Sequence, residues 1–391
     1  MNAPRRVVLM LALGAAVVAA GMGFNYVVNP YGAWRVALVD PIYRKLVADR
    51  AQMPYLLRTT APVTVLIGSS RVQMGMRIEQ GYRDGVLNAS LGAATLPDLA
   101  RIVDAALLNP HLERIVWGVD FYAFNANHHH RNPLFEARLA GDPRVVAQDA
   151  LLSLSALDDG GDLLKRALRG RAHLPSTMTA TVPWPMDFIC DRFAATRGHG
   201  LAWTPPANVA IGLAQVQAWF YAGYEFSPED AAQMRRIVER VRARHVQMIL
   251  FVPPMTAYEL ELIRQGGHWG DFDRFKMALA AAGPLWDFAA YNPIARRDRL
   301  FLDVLHLKPA AGQEILRIML GADAQPCDDS SRAVAQSALK VDAESITRVL
   351  ADEDRRRDAA AAVDSPARRM AAQVLRNPQS RAGAEPAEDQ N

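Results

Sequence analysis

Two short segments far apart in the chain carry residue types suited to nucleophilic chemistry. The first, Ile67-Gly68-Ser69-Ser70-Arg71-Val72, places two hydroxyls where a β-branched apolar run stops at a glycine. A serine that opens the following helix would have unbonded backbone N–H groups and the positive helix end beside it, which can hold an oxyanion. Val72 stands where the second glycine of Gly-x-Ser-x-Gly would be, so the segment is not that elbow. Taken alone, Gly-Ser-Ser reads first as a helix N-cap. The second segment, Phe301-Leu-Asp303-Val-Leu-His306-Leu-Lys-Pro309, sets a carboxylate three residues before an imidazole, just ahead of a closing helix. At that spacing Asp303 can accept from one imidazole nitrogen while the other faces a serine.

The elements that must position these residues alternate. Apolar runs at residues 62–67, 86–88, 114–119, 246–252 and 285–288 predict strands. Helical spacing predicts helices over residues 96–108, 271–282 and 309–320, with a lead-in over 41–57. A further helix runs to about His245 from Ser227-Pro228, an N-cap followed by proline at the first position. Strands alternating with helices imply an α/β protein with a doubly wound parallel sheet, whose ligands bind beyond the carboxyl ends of the strands. Residues 121–226 break the alternation and are expected to be an insertion covering those ends.

In this order and on this strand pattern, the two segments resemble the SGNH/GDSL hydrolase superfamily. More narrowly they resemble its membrane-anchored members, among them DltD-like proteins and polysaccharide O-acetyltransferase domains. The resemblance spans about residues 60–320 and implies a flavodoxin-like, three-layer α/β/α domain. It makes Ser70 the nucleophile, His306 the general base and Asp303 the residue that orients it. The second family block falls on Asn88-Ala-Ser-Leu-Gly92-Ala93, where the N–H of Gly92 or Ala93 would serve the oxyanion. The third block departs from the family. Asp120, in Gly118-Val119-Asp120-Phe121, stands where an asparagine side chain would donate, and an ionised carboxylate cannot donate. Either Asp120 pairs with Arg71, or another residue such as Asn125 donates, or catalysis is weak. The function so implied is a serine-dependent O-acyl transferase or esterase acting on a cell-envelope glycan, with a membrane acyltransferase as a further partner and no cofactor. The alternative is a degenerate domain that binds glycan or scaffolds an envelope-assembly complex.

Composition sets the surroundings. With 391 residues, half of them apolar, the chain can bury a large core, and a formal charge of +3 gives no electrostatic footprint for nucleic acid. Residues Val7 to Val28 carry no charge and follow Arg5-Arg6, which predicts a single membrane span with the arginines on the cytoplasmic side and the main domain periplasmic. Small residues at Val18-Ala19-Ala20 leave a cleaved signal peptide as the rival. The organisation expected is an anchor over 1–33, the α/β domain over 34–321 and a tail over 322–391. That tail contains no Phe, Trp or Tyr and more acidic than basic residues, and it is expected to be disordered. His128-His129-His130 reads as a solvated loop rather than a metal site, and Trp184, Trp203 and Trp219 could stack on sugars or simply pack. Cys190 and Cys327 are too few for a disulfide framework.

Overall fold

The apolar β-branched runs pair as expected. Thr64–Ile67 (β1), Val86–Asn88 (β2), Arg114–Gly118 (β3), Gln247–Val252 (β4) and Leu285–Asp287 (β5) are parallel neighbours. Leu339–Val341 (β6) adds an antiparallel edge to β5. In the computed structural model the order is β2-β1-β3-β4-β5-β6. The residues described are 3–35, 38–39, 49–76, 85–128, 133–170, 206–321, 326 and 328–377. From β1 the chain steps outward to β2 and then returns to the other side of β1 for β3. The winding therefore reverses between β1 and β3, where a parallel sheet opens a crevice at its carboxyl ends. Val65, Leu66, Ile67, Ile115, Val116 and Trp117 have no exposed surface, as expected of central strands covered on both faces.

The helices in chain order are Ala3–Val28 (α1), Asp49–Thr60 (α2), Ser70–Gly75 (α3), Leu96–Ala106 (α4), Pro133–Ala140 (α5), Pro143–Ala150 (α6) and Leu154–Leu168 (α7). Pro206–Val216 (α8) continues into a π-helical turn, Gln217–Tyr221. Then come Pro228–Ala243 (α9), Ala257–Gln265 (α10), Trp269–Ala282 (α11), Pro309–Met319 (α12), Asp329–Ser337 (α13), Ile346–Ala361 (α14) and Pro366–Arg376 (α15). Helix α1 is long and apolar enough to cross a membrane, and its apolar stretch is not buried by the rest of the chain. Its last turn is docked: Asn25, 2% exposed, donates from Nδ2 to the carbonyls of Leu151 (2.9 Å) and Ser153 (3.2 Å) at the start of α7.

Two sequence expectations are corrected. Residues 329–376 are not a disordered tail, because β6, α13, α14 and α15 pack on the sheet and on α10 to α12. The reason lies in aliphatic spacing. Ile346, Val349, Leu350 and Glu353 repeat on one face of α14, and Ala367, Ala371 and Val374 on one face of α15, so a core forms without aromatics. The join also contains buried charge. Lys276 Nζ on α11 meets Asp287 (2.8 Å) on β5 and Glu353 (2.6 Å) on α14. Nor is 121–226 simply a cover over the strand ends. Phe121, Tyr122 and Phe124 follow β3 as a buried 3-10 turn, and Tyr122 stacks on Phe220 at 4.0 Å, so both ends of the segment belong to the main core. Trp184, Trp203, His129, His130, Cys190 and Cys327 lie outside the described residues.

Candidate active site

The nucleophile candidate is placed by a cap and two glycines. Ser69 is the N-cap of α3, its Oγ accepting from Arg71 N–H (3.1 Å), which makes Ser70 the first helical residue. A Cβ on Gly68 or on Gly118 would collide with the Val72 side chain. The valine that excluded an elbow motif therefore fills the space that two glycines leave between β1 and β3. The candidate base, His306, arrives on a tight loop. Phe301 and Leu307 form an antiparallel bridge, Leu302 N–H donates to His306 O (2.7 Å), and Asp303 Oδ1 accepts from the backbone N–H groups of Leu305 (2.8 Å) and His306 (2.9 Å).

These two pieces meet. His306 Nε2 lies 2.9 Å from Ser70 Oγ, and His306 Nδ1 lies 2.7 Å from Asp303 Oδ2. Burial works to raise the Asp303 carboxyl, but the hydrogen bonds from His306 and from the two backbone N–H groups outweigh it and hold it below the usual carboxylate range. Asp303 is half-exposed while His306 is mostly buried, so the pair opens to solvent on the carboxylate side. The approach depends on one more glycine. A Cβ on Gly312 of α12 would overlap the Gly75 carbonyl of α3, so the two helices touch backbone to backbone directly beside the pair.

Arg71, the residue after Ser70, is 5% exposed and serves as a hub. Its Nη2 is 2.5 Å from Glu259 Oε1 on α10. Its Nε is 2.8 Å from Asp120 Oδ1 at the end of β3, a charge contact in which the N–H is not well aimed at the oxygen. Its Nη1 reaches the carbonyls of Pro254 and Leu305, each at 3.4 Å, so the same guanidinium braces the end of β4 and the base loop. Burial works against the charge on Arg71, and Glu259 and Asp120 outweigh it. Tyr221, at the end of the π-helical turn, donates to Glu259 Oε1 (2.6 Å); burial first and Glu259 second push its phenol well up. Asp120 is 2% exposed, and burial raises its carboxyl against the opposing pull of Arg71 and Ser69.

Asp120 thus sits against Arg71, one of the alternatives raised by the sequence. Asn125 is committed elsewhere, donating to Phe220 O (3.2 Å) and accepting from the N–H groups of Asn127 and Glu225, so it is not a donor at this site. Asn88 spends its amide on α3, donating to Val72 O and Met76 O at 3.3 Å each while accepting from Ser90 N–H, and so ties that helix to β2. The turn that follows lies beside the nucleophile segment, with Leu91 N–H donating to Gly68 O (3.0 Å). Arg50 Nη1 holds the carbonyl of Gly92 (3.0 Å), and Ala93 adopts a left-handed φ of 45° that is costly for a residue with a Cβ. His128 is not in a solvated loop: it is 7% exposed, edge-on to Tyr122 and Phe220. Among the described residues no group of three His, Cys, Asp or Glu could hold a metal ion. Trp219 packs partly buried against the core. Sequence reasoning missed Glu259 and Tyr221. Thr256 at the N-cap of α10, with Glu259 three residues on, was the available signal for the first; nothing local marks Tyr221 as a partner of Arg71. Neither a protein-family model nor a curated protein matches this chain.

Proposed function

We propose that this chain is a membrane-anchored, extracytoplasmic enzyme of the SGNH/GDSL kind, with a three-layer flavodoxin-like domain, that transfers or hydrolyses an acyl group on a cell-envelope glycan. One observation carries the reading: Ser70 Oγ, His306 and Asp303 are in hydrogen-bond contact, in that order, on elements that start more than 200 residues apart. In the step proposed, Ser70 Oγ attacks an ester carbonyl while His306 Nε2 takes its proton, and Asp303 holds the imidazole through Nδ1. The tetrahedral oxyanion takes hydrogen bonds from the N–H of Ser70 at the start of α3 and from the Gly92/Ala93 turn. Its collapse expels the alcohol, which recovers the proton from His306, and leaves an acyl-serine. A sugar hydroxyl or water then attacks the acyl-serine with the same base. The acyl donor class follows from the resemblance, with a membrane acyltransferase as its supplier.

A second reading keeps the fold and gives up the chemistry. Asp120 stands where the family has an asparagine donor, and this favours a glycan-binding or scaffold protein with an idle triad. Labelling separates the two. The full chain in detergent should react with a fluorophosphonate probe, and the reaction should vanish in Ser70→Ala and fall by orders of magnitude in His306→Ala. Ser69→Ala should remain reactive, since it removes a cap of about 1 kcal/mol and a hydrogen bond to Asp120 but none of the Ser70–His306–Asp303 contacts. A folded wild type that takes no label supports the scaffold.

A further inference from the structure

Helix α7 presents two apolar faces, and only one of them is covered. Ala156, Gly160 and Leu163 are buried; a Cβ on Gly160 would press on the Phe24 ring of α1. Beside that face, Leu154, Leu157, Gly161 and Leu168 follow helical spacing as a second stripe, with Leu164 at its border packed partly against the covered cluster. Leu154 is 82% exposed, Leu168 79%, and Leu152 just before the helix 55%. The remaining face carries Asp158, Asp162, Lys165 and Arg169. A soluble surface does not ordinarily line up leucines in this way.

The position of the stripe identifies what covers it. The Asn25 amide grips the carbonyls of Leu151 and Ser153, so Leu152 and Leu154 lie level with the last turns of α1. At the same level Tyr26 and Trp34 pair at 5.0 Å; such aromatics mark the boundary between hydrocarbon and water on a spanning helix. Residues 24–28, about 6 Å of α1, meet α7 at Ser153 and Gly160 and share a cluster with Leu163, Leu164 and Ala167, about 21 Å of that helix, so α7 runs across α1 rather than along it. A helix lying across a span at the aromatic level, with leucines on one side and charges on another, has the form of an interfacial helix. Resting on the reading that α1 spans a membrane, we propose that the Leu152–Leu168 stripe is a second membrane contact, lying in the interfacial layer of the bilayer that α1 crosses.

The test uses the full chain in phospholipid vesicles, with Cys190→Ser and Cys327→Ser as background and single cysteines labelled with an environment-sensitive fluorophore. Labels at Leu154→Cys and Leu168→Cys should shift to the blue and be quenched several-fold more by acyl-chain nitroxide lipids than a label at Asp162→Cys on the charged face. Val17→Cys in α1 reports the span separately. Quenching at residue 17 with residues 154 and 168 as accessible as 162 overturns the second contact and leaves the span standing. Lack of quenching at residue 17 overturns the span, and the contact with it. A blue shift at 154 and 168 without lipid quenching means that protein covers the stripe, either a second copy or residues 171–205, and also overturns the proposal.

Discussion

At the residue scale, what distinguishes this site is an arginine shared by two buried carboxylates next to Ser70. One positive charge facing Asp120 and Glu259 in a dry setting leaves an uncompensated negative charge unless one carboxyl keeps its proton. Glu259 Oε1 takes hydrogen bonds from Arg71 and Tyr221, and burial raises the Asp120 carboxyl. The sign of the linkage follows. The folded state holds the Asp120 proton after the unfolded chain has released it, so this contribution is complete below the ordinary aspartate range and is lost as pH rises through the raised value. Asp120→Asn should flatten the fall in melting temperature over that window and still fold; a variant that falls as steeply as the wild type would remove Asp120 from the account. If a neutral donor is what the site lacks, the same variant should also raise the labelling rate. Ser70, Asp303 and His306 were picked out by residue type and order together with the family resemblance, and the Arg71–Asp120 pair was one of three alternatives for Asp120. Glu259 and Tyr221 were not, because their meaning depends on how α10 and the π-helical turn are packed.

At the scale of elements, the Ser70–His306 contact sits where two helices approach backbone to backbone. Gly312 permits contact between α12 and the Gly75 carbonyl, whereas a Cβ on Gly75 itself would reach Leu307 only at an ordinary 3.4 Å. Gly312→Ala should therefore push α12 away from α3 and lower fluorophosphonate labelling far more than Gly75→Ala, with helical content by circular dichroism kept in both. Equal labelling rates in the two variants would show that helix approach does not govern the Ser70–His306 pair. Most strands and the helices that follow them could be read from periodicity, and their boundaries moved by only one or two residues. Helices α5 to α8, α10 and α13 to α15 and strand β6 escaped, since aromatic content and regular alternation are poor guides where alanine, glycine and single aliphatics make the contacts.

For the whole molecule, the C-terminal elements are part of the fold, and a chain ended at Gly321 loses β6 and the Glu353 partner of Lys276. Such a truncation should aggregate or unfold, because it bares the edge of β5 and breaks a buried charge cluster. A monodisperse, cooperatively melting fragment would contradict this. Glu353 also sets a pH dependence: burial, with Asp287 adding to it, pushes its carboxyl from an ordinary 4.5 up to about 8. Stability from this group is complete below about 4.5 and is lost as pH rises toward 8, so Glu353→Gln should weaken the decline in denaturation midpoint across that interval. The join between α1 and the domain has a mechanical consequence. Asn25 is fixed to the start of α7, Tyr31 Oη donates to Asp159 (3.0 Å), and Tyr31 and Ala156 pack in one cluster with Tyr55 of α2, so no slack hinge lies between α1 and these elements at these contacts. On the function proposed above, with α1 across a bilayer, Ser70 rides at a constant standoff, as the tip of a strut and not the end of a leash. Acyl acceptors tethered to the same membrane on arms of graded length should be used only within a narrow band of lengths, and polymer beyond that band must be brought down to the site.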